Sequence, residues 1–479
     1  MKKISLLFTP VLVILVLFAA SAKAVTIIKV QKIVAQGTVT FNVQKSVPSD
    51  IINWKTSRYL IDETSGAYTF PTDSLTATGD SARFTLQKTS GQYTFYKIFA
   101  YEGTQADTFI VQVLIPGVVE KYLYTNLSLS KFSIPVWIVL PTGYSTKSKF
   151  VTTMAGIDRA ASNIATYWVP FANANNYIVA APEFNATDWS SDAYILGNMF
   201  SGSSGTGNLN PQKTWSFNIV EQIHRELYQA CGLIDSTYEL WGHSAGGQFV
   251  HRLAFFLPDN LIIRYIAGNS GWYTCPDLSV VFPWGAQNSL LNLSQIDLVR
   301  FTNQNLIIMR GTADTLQNYQ FNTDPLSNVQ GLNRYTRAGY FYNIGKQVNS
   351  SSIWQLIDVP NVGHDDQKMS IAGGNYIVAH PITSIASEKN TIPEKFSIVN
   401  FPNPFNPSTQ IVFTLKNSTQ INLTIYNILG QKVSGLVNEY LHPGTYTYKF
   451  NGAGLASGTY ICKITGDQIN SSLKILLLK

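Results

Sequence analysis

The stretch YELWGHSAGGQFVHRLAFF (238–256) runs from an apolar segment through a glycine-flanked serine into an apolar helical pattern. Gly242 and Gly246 sit two residues either side of Ser244, and Gly247 follows. A strand that turns this abruptly into a helix crowds its own backbone, so only small residues fit beside the tip. Ser244 would then hold strained dihedrals with its hydroxyl exposed above a sheet. A strand feeding directly into a helix also points to an α/β architecture. A glycine-rich loop that merely contains a serine would show the same letters, so the rest of the chain has to discriminate.

Three textures follow one another. From residue 25 to about 125, apolar and polar positions alternate, most clearly in SARFTLQ (81–87) and QYTFYKIFAYEG (92–103). Turn-rich pieces such as ATGDSA (77–82) separate them. Short strands with frequent turns predict an N-terminal β-sandwich of immunoglobulin-like type. From 126 to about 385, short apolar runs appear at VWIVLP (136–141), KFVTTMAG (149–156), NYIVAAPEF (176–184), YELWGHS (238–244), NLIIMRGTAD (305–314) and IWQLIDVPNVGH (353–364). Helical patterns separate several of them. In residues 214–233, Phe217, Val220, Ile223, Leu227 and Cys231 recur at three and four, which is one helical face. Strands alternating with helices predict a mainly parallel sheet covered on both sides. SEKNTIPEK, within 386–395, reads as a linker, and 396–479 returns to alternation as a small all-β module. Its opening FPNPFNPST has three prolines and is excluded from a central strand.

A serine hydroxyl is a weak nucleophile and needs a base, and the base needs an orienting acid. Downstream of Ser244 stand only His251, His364, His380 and His442. His251 lies about two turns down the helix that follows the serine and points away from it. His442 belongs to the C-terminal module. His364, in PNVGHDD, follows an apolar run and a glycine, where a loop base belongs; His380 is the weaker substitute. His243 precedes the turn and reads as shaping it. For the acid, Asp314 in IIMRGTADT follows a predicted strand, with Asp324 as the fallback; Asp365 and Asp366 adjoin the base too closely. The oxyanion of acyl transfer needs two backbone donors, expected from Ala245 and from Ile157 (or Gly156) in MAGIDR (154–159). The histidines and cysteines show no metal-ligand spacing, so neither metal nor cofactor is expected.

These residues carry a resemblance. Residues from about 133 to 372 resemble the α/β-hydrolase superfamily, in particular the secreted branch related to polyhydroxybutyrate depolymerases and feruloyl esterases. MAGIDR, APEF (181–184), GNMF (197–200), GHSAGGQFVHR (242–252), GNSGWYTCP (268–276), RGTADT (310–315), NRYTRAGYFY (333–342) and VPNVGHD (359–365) carry it. The resemblance implies Ser244 as nucleophile, Asp314 as acid and His364 as base, and Trp272 and Tyr273 beside the substrate. Relatives usually have His-Gly in the oxyanion loop, where this chain has Ala155 and Gly156. The C-terminal module resembles the type A sorting domain of the type IX secretion system through FPNPFNPST, IYNILGQKV, LHPGTYTYKFNG, LASGTYICKIT and a final KILLLK. That implies export through the outer membrane, with the secretion machinery as a partner, to a secreted or surface-attached destination. The expected activity is serine-dependent cleavage of carboxylic esters, on polyesters or on feruloylated and acylated polysaccharides. A non-catalytic binding or adhesion protein on the same scaffold, or a serine peptidase, stays open.

The chain's beginning agrees with export. Residues 1–24 order two lysines, an apolar run and Ala22-Lys23-Ala24, the grammar of a cleaved signal peptide. Nothing later is apolar enough to span a bilayer. Removing those residues deletes three lysines and no acid, lowering the net charge from +6 to +3, which is no footprint for nucleic acid. Three cysteines exclude a disulfide scaffold, although an oxidising compartment leaves a Cys231–Cys275 bridge open.

Overall fold

Alternation in residues 81–86 and 92–102 is realised as strands whose inward positions are buried: Ala82, Phe84 and Leu86 on one, Tyr96, Ile98 and Ala100 on the other. The computed structural model describes residues 25–382 and 398–479, apart from short interior segments at 29–30, 46–50, 63–66, 103–104, 126–132, 259, 318–320, 402, 416–418, 442–443 and 468. The expected signal peptide (1–24) and linker (386–395) lie outside the described residues. The fold divides into two compact units. One runs to Tyr194 and adds Pro211–Ser236 and Asp366–Ile371; the other holds Ile195–Asn210, Thr237–Asp365 and Ala372–Lys479.

In the first unit, strands Val25–Ile28, Gly37–Lys45 and Ser81–Leu86 form a three-stranded sheet. A six-stranded sheet is ordered Ile33–Ala35, Gln105–Leu114, Gln92–Glu102, Ile52–Asp62, Tyr68–Thr69, with Thr76–Thr78 also paired to Ile52–Asp62. Phe41, Val43 and Phe84 from the former and Trp54, Ile98, Val111 and Val113 from the latter share one apolar core. A change of period then brings strands of the α/β region. Val119–Thr125 pairs antiparallel with Ser133–Val139, which pairs antiparallel with Tyr177–Pro182, itself parallel to Lys149–Met154. The expected boundary at 125/126 therefore falls inside a strand pair. Alternation alone does not reveal which sheet a strand joins, and Val119–Thr125 joins the later one. It is also tied to the earlier layers: Gln112 Nε2 donates to the Lys121 carbonyl (2.9 Å), and Lys88 pairs with Glu120 (3.1 Å) in near-complete burial. The helix expected in 214–233 spans Ser216–Ala230 and buries Phe217, Val220, Ile223 and Leu227 on the anticipated face.

In the second unit, strands Tyr238–His243, Ile262–Gly268, Leu306–Gly311 and Gln355–Val359 pair in that order, all parallel. Every residue of Tyr238–His243 is buried, Glu239 and His243 included, as in a strand covered on both faces. Ile262–Gly268 is absent from the apolar runs picked out of the sequence, because Arg264 interrupts it. That guanidinium lies 3.1 Å from the Glu239 carboxylate on the neighbouring strand, both side chains almost fully buried, and over the ring of Tyr376. A paired charge is tolerated inside where a single one is not.

Residues 398–479 form two further sheets. One is Ile398–Phe401, Ser408–Leu415 and Gly444–Asn451; the other is ordered Lys432–Leu441, Thr419–Asn427, Gly458–Thr465, Asn470–Leu477. They enclose a core that includes Phe405, Ile411, Phe413, Leu423, Ile425, Ile464 and Ile475. The proline-rich opening connects two strands instead of lying within one, and buried Phe405 anchors it through backbone bonds to Leu476 and Leu478. All three cysteines are buried free thiols, so the Cys231–Cys275 bridge left open by the sequence is not formed.

Candidate active site

Ser244 ends the strand Tyr238–His243 and starts the helix Ala245–Phe256 with φ 57° and ψ −115°, a conformation that is costly for a residue with a Cβ. The glycines around it are required sterically. A Cβ on Gly242 would stand 2.3 Å from the Gly246 carbonyl oxygen, and one on Gly247 would stand 2.7 Å from that of Gly268. The Ser244 N–H donates to the Gly268 carbonyl (2.9 Å), and the Ser244 carbonyl accepts from Gln248 (3.0 Å), which fastens the turn on both sides. Ala245 opens the helix, where first-turn N–H groups lack intrahelical acceptors.

The loop after strand Gln355–Val359 carries His364. Its Nε2 lies 2.9 Å from Ser244 Oγ, and its Nδ1 lies 2.8 Å from Asp314 Oδ2. With the proton on Nδ1, the imidazole donates to the carboxylate and accepts from the serine hydroxyl. Asp314 follows strand Leu306–Gly311 and is 3% exposed. The buried Arg334 guanidinium approaches its other oxygen at 3.6 Å. Burial is the main cause that pushes the His364 imidazole below its ordinary value of 6.5; the charges of His243 and Arg334 act in the same direction and Asp314 opposes them. A depressed value keeps the ring neutral, the form that accepts a proton, at neutral pH.

The acid and base loops are zipped together. Thr312 N–H donates to the Val359 carbonyl (3.0 Å), Ala313 N–H to the Val362 carbonyl (2.9 Å), and Asn361 N–H to the Thr312 hydroxyl (2.9 Å). The weaker candidates are occupied elsewhere. Asp324 caps the short helix Pro325–Val329 by accepting from Leu326 N–H (2.9 Å). His380 bonds the Tyr376 carbonyl and stacks on that ring. His251 donates from Nδ1 to the Gly247 carbonyl (3.0 Å) and accepts the Thr274 N–H at Nε2 (3.1 Å). Burial and the adjacent Arg252 hold it neutral. His243, read from sequence as shaping the turn, also packs its ring 4.7 Å from that of His364.

The two aromatic residues expected beside the substrate are buried instead. Tyr273 is fully enclosed, stacked on Phe341 and packed against His251; its backbone is bracketed by the Gln330 side chain. Trp272 is 6% exposed and lies under the Arg252 guanidinium, 4.1 Å from the ring centroid. An apolar aromatic pair reads alike in sequence whether it faces substrate or core. Ile157 lies on the loop after Lys149–Met154, in the other unit. There the buried Tyr194 hydroxyl donates to the Ala155 carbonyl (2.7 Å), and Arg159 lies over the Tyr194 ring while donating to the Phe184 carbonyl (2.8 Å). This loop is anchored by a tyrosine.

The chain is 30% identical to poly(aspartic acid) hydrolase-1 of Sphingomonas sp. KT-1, covering 100% of that chain and 55% of this one with a TM-score of 0.52. It is an α/β-hydrolase. The poly(3-hydroxybutyrate) depolymerase LpqC of Bordetella parapertussis is a second α/β-hydrolase match at 26% identity, with 94% of that chain and 57% of this one covered and a TM-score of 0.51. Residues 399–478 match the secretion system C-terminal sorting domain. This hydrolase is therefore a type IX secretion cargo, secreted or attached at the cell surface. Among the described residues no helix is long and apolar enough to cross a membrane. A search of curated proteins finds no match.

Proposed function

We propose that this hydrolase is a serine esterase, exported with the help of a cleaved leader at 1–24, that cleaves carboxylic esters through an acyl-enzyme. The observation that carries this reading is the unbroken hydrogen-bond chain from Ser244 Oγ through His364 to Asp314, at 2.9 and 2.8 Å, with the serine on a strained turn. Ser244 Oγ adds to the ester carbonyl carbon as its proton passes to His364 Nε2. The carbonyl oxygen becomes an oxyanion, held by the N–H of Ala245 and, in this reading, of Ile157. The C–O bond to the alcohol then breaks, and the imidazolium returns the proton to the departing oxygen. Water repeats the sequence on the acyl-serine and releases the acid. Asp314 keeps the imidazole in one tautomer and stabilises its protonated form. We read the layers before residue 119 as an immunoglobulin-like sandwich.

The named activities of the two relatives point to a polymeric substrate. Polyesters and acylated polysaccharides fit the ester reading. An amide bond in a polyanionic chain is the second reading, favoured by the poly(aspartic acid) hydrolase at 30% identity. Ser244→Ala is expected to lower turnover of p-nitrophenyl esters by about 10⁶-fold if the three residues act as a unit. It is also expected to abolish labelling by a fluorophosphonate. Undiminished hydrolysis in the variant rejects the mechanism. Turnover of poly(aspartic acid) without turnover of hydroxybutyrate oligomers or feruloylated saccharides selects the second reading.

A further inference from the structure

The three loops of the candidate triad meet at two consecutive residues that belong to none of them. Strand Ile262–Gly268 lies between the nucleophile strand and the acid strand. The Gly268 carbonyl takes the Ser244 N–H (2.9 Å). The next residue, Asn269, adopts φ 44°, its N–H donates to the Met309 carbonyl (2.9 Å), and it is 1% exposed. Its side-chain oxygen accepts the Gly311 N–H at 2.7 Å, where the acid loop begins. Its side-chain nitrogen donates to the Gly363 carbonyl at 2.9 Å, immediately before His364.

We propose that Asn269 is a positioning residue for catalysis, fastening the acid and base loops to the strand that also holds the nucleophile. This inference rests on the serine-esterase reading. The backbone bonds between the acid and base loops fix those two relative to each other, and the sheet pairing that ties them to the Ser244 side ends at Gly268, Gly311 and Val359, before the catalytic loops begin. The Asn269 amide carries the tie past those strand ends, because its two bonds are made from a residue adjacent to the Ser244 anchor. Asparagine suits this role because one short group carries both an acceptor and a donor, and because it tolerates a left-handed backbone better than most residues. Aspartate at this position would keep the acceptor for Gly311 and lose the donor to Gly363. Glycine would keep the backbone and lose both.

The test uses the full chain, a fluorophosphonate probe and p-nitrophenyl acetate. Labelling endpoint counts competent sites, and the phosphonylation rate constant per labelled site reports how well His364 activates Ser244. Asn269→Gly is expected to reach a full endpoint with the rate constant and kcat lowered about 10²-fold and KM little changed, as for a misplacement near 1 Å. Asn269→Asp is expected to show a smaller loss in the same two quantities. A wild-type rate per labelled site in both variants overturns the proposal. So does a lowered endpoint with a wild-type rate per site, which would assign Asn269 to folding alone. Failure of the serine-esterase reading is distinguishable: without a serine nucleophile the unaltered protein would not be labelled at all, and an amide-cleaving serine hydrolase would be labelled but would turn over its amide substrate in preference to p-nitrophenyl acetate.

Discussion

Gly311 stands where the acid loop leaves its strand, and a single methyl there probes how closely the two loops must approach. A Cβ at this position would lie 2.3 Å from the Val362 carbonyl oxygen and 3.1 Å from that of Gly363. Backbone oxygens do not approach a Cβ closer than 3.0 Å, so Gly311→Ala must part the loops by about 0.7 Å. Both neighbours are main chain, and no side chain can swing away to absorb the overlap. Carried onto the imidazole–carboxylate line, that displacement stretches the 2.8 Å bond between His364 and Asp314 to about 3.5 Å, past useful N–H···O range. Loss of the orienting acid costs about 10⁴ in kcat where it has been isolated, and a misplacement of this size about 10². The expected fall in kcat is thus about 10²–10⁴-fold, with KM nearly unchanged. Overpacking also lowers stability by about 1–3 kcal/mol, so kcat is read per fluorophosphonate-labelled site below the melting transition. An alanine variant with wild-type kcat per site would refute the claim that this contact sets the triad geometry.

The depressed value of His364 places the acidic limb of kcat/KM below pH 6.5, since the base works only unprotonated. Arg334→Gln removes a positive charge that opposes protonation of the ring, so the limb is expected to move to higher pH; a limb that stays or falls contradicts the electrostatic assignment. All three thiols are buried, and burial pushes Cys231 and Cys462 up to about 12 and Cys275 in the same direction. Native protein is expected to resist iodoacetamide, and unfolded protein under non-reducing conditions to titrate three thiols; a count of one would mean a bridge.

The elbow was legible because its constraint is steric and local: only glycines fit where Gly242 and Gly247 meet carbonyl oxygens of neighbouring turns. His364 was legible because few histidines follow the serine, and each competitor sat in a recognisable element. Less visible was anything decided by pairing across the sheet. The charge of Arg264 concealed a strand, because its partner Glu239 is far from it in sequence. Asn269, within a segment quoted for its aromatics, looks like a turn residue until the loops it bonds are brought beside it. The burial of Tyr273 against Phe341 was likewise invisible, since stacking on a distant ring leaves no trace in the letters WYT.

Because Val119–Thr125 is hydrogen-bonded to Ser133–Val139, the hydrolase portion is not a cassette that begins at residue 126. Trimming the chain there would bare a sheet margin that invites other copies of itself to stack on. A cut at 119 spares that strand but removes Lys88, the ion-pair partner of Glu120, and Gln112, which bonds the Lys121 carbonyl. An engineer wishing to graft this hydrolase onto another carrier has to take the front layers along, whether or not they ever touch a polymer.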